Sequence, residues 1–189
     1  MTDAVVRLWL KVGDPTALTA RETLQRALTY GRRVEEVSRS ELWCFRWETE
    51  PDPRGVLARL ARDTNLILNP NKHLMEVAVG DEALHPRGNA WVMVSVPGEG
   101  DELEETLRRH RLVEGPPPAT RRAILWELSL GVEGDEAAAL AAEIAVARER
   151  KRGLLTNPHL EDAMVFRAPP RALEIARVLM GTTDPERVG

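Results

Sequence analysis

Four histidines, His73, His85, His110 and His159, and a single cysteine, Cys44, are the residues of this 189-residue chain whose types best suit metal binding or nucleophilic catalysis. Their spacing offers neither. No histidine stands at zinc-ligand spacing from a cysteine, a carboxylate or another histidine, and one cysteine cannot complete a structural zinc site. Neither a Gly-x-Ser-x-Gly nor a Walker sequence is present. Val94-Ser95-Val96-Pro97-Gly98-Glu99-Gly100 ends a strand and opens a helix, as a dinucleotide fingerprint would. Leu103 fills the third glycine position, however, and Glu99, Asp101, Glu102, Glu104 and Glu105 would repel a pyrophosphate. An acidic first turn is what the helix dipole favours without any ligand. The charged run from Glu102 to Arg111 reads as a solvated helix face and the histidines as surface residues. The expectation is therefore a chain with no catalytic, metal-binding or cofactor-binding residues.

The bulk numbers agree with such a chain. Hydrophobic residues make up 43% and charged residues 30%, the balance of a soluble globular protein. A net charge of −4 argues against a general nucleic-acid binder, because phosphate contacts need basic surface. No apolar run approaches the ~20 residues of a membrane span. Met-Thr-Asp-Ala lacks the features of a signal peptide. One cysteine leaves no disulfide within the chain, so a cytoplasmic protein is expected.

Periodicity supplies the elements. Val5–Val12 alternates as a strand. Thr16 or Thr19 is expected to cap a helix running to about Thr29. Val34–Glu48 is extended, with a break near Ser38–Ser40 that would make it a bent pair. Asp52 and Pro53 are the N-cap and first residue of a second helix, and a strand then runs to about Val79. Asp81–Asn89, with Pro86 and Gly88, is a linker. The order then repeats: strand Ala90–Val96, helix Asp101–Arg111, strand Ala123–Leu130, helix Asp135–Arg152 and a final strand around Met164–Phe166. Arg171–Met180 adds a short helix with Leu173, Ala176 and Leu179 inward. This divides the chain into repeats over 1–80 and 90–168, joined by 81–89 and followed by a helical tail over 169–189.

Two connectors mark the repeat. Asn65-Leu66-Ile67-Leu68-Asn69-Pro70 and Gly153-Leu154-Leu155-Thr156-Asn157-Pro158 each lie between a helix and a strand. Proline disfavours helical geometry in the residue before it, so the helix must end by Asn69 or Asn157. The Asn side chain can then bind freed backbone groups. Leu66 and Leu68, and Leu154 and Leu155, are expected to pin the connectors to the core. Glu22-Thr23-Leu24-Gln25-Arg26 is echoed by Glu105-Thr106-Leu107-Arg108-Arg109.

Five tryptophans, Trp9, Trp43, Trp47, Trp91 and Trp126, all fall in expected strands, with Phe45 beside two of them. Several strands are apolar on both faces, so both sheet faces must be covered. Sheet-against-sheet packing between the repeats or between chains accounts for this, and the expectation is an internal pseudo-dimer lined by Trp9, Trp43, Phe45, Trp47, Trp91 and Trp126, with a further homo-oligomer of such chains left open. An aromatic platform for RNA bases is the alternative, but Ser40–Trp47 lacks the glycine-and-aromatic signature of that module.

With these elements in place the chain resembles the PurS subunit of phosphoribosylformylglycinamidine synthase. Leu154-Leu155-Thr156-Asn157-Pro158-His159-Leu160-Glu161-Asp162 carries the resemblance most strongly, and Val34-Glu35-Glu36-Val37-Ser38-Arg39 is similar to the family's central strand. Two such copies span most of the chain. The resemblance implies an α+β fold of two tandem ferredoxin-like, PurS-like units, β-α-β(β)-α-β, with antiparallel sheets and helices on one face. It also implies a non-catalytic subunit that bridges the synthetase and glutaminase subunits of an ATP- and glutamine-dependent ligase in purine biosynthesis. The alternative is a regulatory module of paired α+β units that binds a small metabolite between them. An enzyme acting alone ranks third.

Overall fold

In the computed structural model, which describes residues 1–146, 153–157 and 159–181, the strand patterns of the sequence assemble into a single antiparallel sheet of six strands. The elements in chain order are β1 (Thr2–Leu10), α1 (Pro15–Ala27), a 3-10 turn over Gly31–Arg33, β2 (Val34–Trp47), α2 (Pro53–Asp63) and β3 (His73–Val79). There follow β4 (Ala90–Ser95), α3 (Asp101–His110), β5 (Ala119–Leu130), α4 (Gly134–Ala145), β6 (Asp162–Phe166) and α5 (Ala172–Leu179). The strand order is β3-β1-β2-β5-β4-β6, which is symmetric about the contact between β2 and β5. That contact is an antiparallel seam running from Val34↔Leu130 to Arg46↔Ala119.

The seam replaces the two face-packed sheets expected from the sequence. β2 and β5 have 14 and 12 residues, and each would otherwise present a long unpaired edge. Edge-to-edge pairing removes both edges and leaves the sheet faces to the helices. β2 also runs unbroken through Ser38–Ser40. Its irregularity is a bulge between Val34 and Glu36.

One face carries four helices. Ala4, Val6, Leu8, Trp43, Phe45 and Trp47 form a cluster with α2 through Leu57 and Leu60 and with α3 through Leu103 and Leu107. Val92, Val94, Trp126, Leu128 and Leu130 form another with α1 through Ala17 and Leu24 and with α4 through Leu140 and Ile144. Each cluster thus takes helices from both sides of the seam. The fifth helix departs from the expected one-sided arrangement. Ala172, Ile175 and Ala176 of α5 cover Val5, Leu42, Cys44, Met93 and Leu125 on the opposite face, while Leu173 is half-buried. This covering is why the strands are apolar on both sides.

Caps and connectors fix the local geometry. Asp14, rather than Thr16 or Thr19, caps α1, accepting from the Thr16 and Ala17 amides at 2.8 and 3.4 Å. Asp52 caps α2 by accepting from the Gly55 amide at 2.9 Å, with Pro53 following. The connectors are alike in detail. Asn69 Oδ1 accepts from the Asn71 amide and Asn157 Oδ1 from the His159 amide, at 3.0 and 3.2 Å. The carbonyls of Asn69 and Asn157 each accept from the amides three and four residues on. Their own amides reach the side chain four residues on, His73 in one and Glu161 in the other. Burial corrects the expected anchors. Leu66 and Leu154 are 39% and 38% exposed, whereas Ile67 and Leu155 are buried and Leu68 is half-buried. Pro70 is exposed, with its carbonyl accepting from Lys11 Nζ, while Pro158 and the expected continuation of α4 over 147–152 lie outside the described residues.

Candidate functional site

On the α5 side of the sheet a cluster of charge lies over β1, β2 and β3 and takes one carboxylate from β5. Arg7 alternates with Val5 and Trp9 on this face of β1. Its cross-strand partner on β3 is Glu76, and Ser40 and Glu127 come from β2 and β5. Arg7 is fully buried and Glu127 is 1% exposed. The Arg7 guanidinium donates from Nη2 to Glu127 Oε2, from Nε to Ser40 Oγ at 3.0 Å, and from Nη1 to Glu76 Oε2 at 3.3 Å and the His85 carbonyl at 2.7 Å. Four bonds, two of them to carboxylates, are the kind of pairing a buried arginine requires. Burial pushes the Glu127 carboxyl up from its ordinary range, against the pull of Arg7 and Arg87.

The segment between β3 and β4, read from the sequence as a linker, closes over this cluster. Leu84 is buried, its amide donating to the Pro170 carbonyl before α5. His85 gives its amide to Glu76 Oε1 at 2.9 Å, and its Nδ1 lies 2.5 Å from the same oxygen. The Arg87 amide donates to Glu127 Oε1 at 3.2 Å, and its guanidinium lies 4.0 Å from the centre of the Trp9 ring. Gly88 is required because a Cβ there would stand 2.4 Å from the Leu128 carbonyl oxygen. Together Arg7, Trp9, Glu76, His85 and Arg87, with Arg54 and Glu82 at one end, line a cleft of about 710 Å³.

A second arrangement lies on the four-helix face at the seam, and it is reciprocal. Trp43 pairs across the seam with Arg122, and Arg39 with Trp126. The Arg122 guanidinium lies 5.6 Å from the Trp43 ring centre, and that of Arg39 lies 5.9 Å from that of Trp126. Arg122 pairs with Glu99 in the β4–α3 turn at 3.1 Å, and Arg39 with Asp14 in the β1–α1 turn at 3.5 Å. Glu41 breaks the match by joining Trp43 Nε1 at 2.6 Å to Arg122 Nη2 at 2.9 Å, because Ile124 stands opposite it.

The six aromatic residues singled out in the sequence are therefore divided. Trp43, Phe45 and Trp126 lie on the two seam strands on the four-helix face, with Trp47 at the end of β2 stacked on Phe45 at 5.7 Å. Trp9 and Trp91 lie on β1 and β4 on the other face, one in the cleft and one in the α5 cluster. The connector residues Asn69 and Asn157 lie at the ends of the molecule remote from the seam, before the edge strands β3 and β6. The turn before α3 is closed on itself: Gly100, with φ of 105°, backs onto Arg121 and Arg122, and its amide donates to Glu102. Among the described residues no group of three or more His, Cys, Asp or Glu side chains is placed to hold a metal ion. Within the same residues no helix is long and apolar enough to cross a membrane.

His85 was read from the sequence as a surface residue, and the sequence pattern pointed to none of Arg7, Ser40, Glu76, Arg87 or Glu127. A signal existed: Arg7 stands between Val6 and Leu8 and Glu127 between Trp126 and Leu128, and ionisable residues so placed in strands must be paired. Comparison with known proteins gives no family model, no curated protein and no solved structure that matches this chain.

Proposed function

We propose that the chain is a duplicated PurS-like unit, an internal pseudo-dimer, which serves as a non-catalytic assembly subunit of phosphoribosylformylglycinamidine synthase in the cytoplasm and bridges the synthetase and glutaminase subunits. The observation that carries the duplication is the reciprocal seam. Arg122 on Trp43 and Arg39 on Trp126, each braced by an acid from a strand-to-helix turn, form the isologous contact expected between two copies of one unit. The matched hydrogen bonds of the Asn69 and Asn157 connectors point the same way. Each half has the order β-α-β-α-β, with one long strand in place of the bent pair of the ferredoxin-like pattern. The bridging role rests on the resemblance of Leu154–Asp162 to the family. Its test is retention of the synthetase and glutaminase subunits by the immobilised chain in the presence of glutamine and ADP. Both should be retained. Failure to hold either, while a single-unit homologue from the same cell holds both, would refute the proposal.

A second reading is favoured by the cleft beside Trp9. Its volume falls in the ~300–1,000 Å³ range of small-molecule sites, its floor is a hydrogen-bonded polar network, and its lining comes from residues 7 to 87 and not from between the two units as expected from the sequence. In this reading the chain is a regulatory module that binds a small metabolite.

A further inference from the structure

We propose that the cleft binds a small ligand through a carboxylate or phosphate group, and that the Arg87 guanidinium is the group that grips it. This rests on the second reading above and adds the chemistry of the ligand. The accounting of donors and acceptors in the cleft is one-sided. Glu127 is taken by Arg7, Ser40 and the Arg87 amide. Glu76 is taken by Arg7 and by the amide and ring of His85. Glu82 accepts from the Val79 amide and from Arg54, whose remaining contact is the Val77 carbonyl at 2.7 Å. Arg7 is saturated. What is left is cationic: among the described residues the Arg87 guanidinium has no hydrogen-bond acceptor, and only the Trp9 ring holds it, at 4.0 Å. A guanidinium carries five N–H donors in a planar fork that matches carboxylate and phosphate oxygens. Stacking on Trp9 fixes the plane of that fork and leaves its donor edges unspent, so little ordering is needed on binding.

Burial and then the nearby Arg7 charge push Arg87 down from the ordinary arginine range, while the Glu127 and Glu76 carboxylates, both already engaged by Arg7, act against this; a bound anion would add to their effect. The arrangement also occurs only once. The strand registers place Met93, Ala123 and Met164 in the other half where Arg7, Ser40 and Glu76 stand in this one. The other half of the same sheet fills these positions with apolar side chains, so the strand pairing by itself does not call for the polar set.

The test is isothermal titration and thermal shift on the full chain with inorganic phosphate and benzoate, and with benzamide and benzylamine as neutral and cationic controls. Both anions should bind saturably and raise Tm, and the controls should not. Arg87→Gln should weaken anion binding at least tenfold with unchanged circular dichroism, whereas Arg26→Gln on the exposed face of α1 should leave it unchanged. Arg87→Lys, which keeps the charge and loses the fork, should fall between. Saturable binding of benzamide or benzylamine that is indifferent to Arg87→Gln would leave a small-molecule cleft standing and overturn the anion chemistry. Anion binding equally strong in Arg87→Gln would overturn the role of Arg87. No binding by any probe would sink both the cleft reading and this inference.

Discussion

Arg7 and Glu127 carry opposite charges into a part of the sheet that water does not reach, and Glu127 is the more deeply buried of the two carboxylates that pair with Arg7. Glu127→Ala leaves Arg7 with Glu76 as its one carboxylate partner and also removes the acceptor of the Arg87 amide. It should destabilise the fold by ~3–5 kcal/mol in urea titration. A change below ~1 kcal/mol would show that Arg7 finds other partners or water. Cys44 tests burial on the same face from another direction. Its thiol is fully buried and pushed up to about 12 by that burial, and next by the Asp3 charge. Because the folded state holds this proton more tightly than the unfolded chain, Cys44 contributes stability at neutral pH that is lost as pH rises from the ordinary thiol range towards about 12. The stability gap between the wild type and Cys44→Ala should therefore narrow above the ordinary thiol range, by at most ~1.4 kcal/mol per pH unit. A constant gap would mean that the thiol ionises in the folded chain.

At the scale of elements, a connector makes the sharpest contrast, because two adjacent leucines have opposite environments. Leu155 is buried in the cluster with α1 and α4, and Leu154 is exposed. Leu155→Ala should cost ~2–5 kcal/mol. Leu154→Ala should stay within ~0.5 kcal/mol. Equal effects in denaturant titration would contradict the connector geometry. Most of the elements were legible in the sequence. Alternation marked β1, β2, β4 and β5, Asp52-Pro53 marked the start of α2, and Asn-Pro marked both connectors. What escaped was set by partners remote in the chain. Alternation shows that β2 and β5 are apolar on both faces but not that they pair edge to edge, since a paired edge leaves no mark on side-chain type. The α5 helix was readable as a short amphipathic stretch, yet its position over Cys44 and Leu125 depends on contacts distant in sequence. The cleft was hidden for the same reason. Arg7, Ser40, Glu76, Arg87 and Glu127 lie on five separate segments, and Arg87 sits in a stretch whose polarity resembles that of any loop.

For the molecule as a whole, the two halves share their cores. Leu24 of α1 shares one hydrophobic cluster with Trp126 and Leu128 of β5, while Leu107 of α3 shares another with Trp43 and Phe45 of β2. The α5 helix then reaches back from the end of the chain to β1. A chain built this way should unfold in one cooperative transition, with calorimetric and van't Hoff enthalpies equal. Two resolved transitions would mean that each half closes a core alone. This arrangement suits an assembly subunit, because one continuous sheet carries a helix-covered face across both halves. The central claim is that this body connects a glutaminase to a synthetase without taking part in the chemistry. The most direct measurement is formylglycinamidine synthase activity in a mixture of the synthetase and glutaminase subunits lacking their small subunit, assayed with glutamine and, separately, with ammonia. Adding this chain should restore the glutamine-dependent rate and leave the ammonia-dependent rate unchanged. A glutamine-dependent rate that stays at background, while a single-unit homologue restores it, would contradict the account.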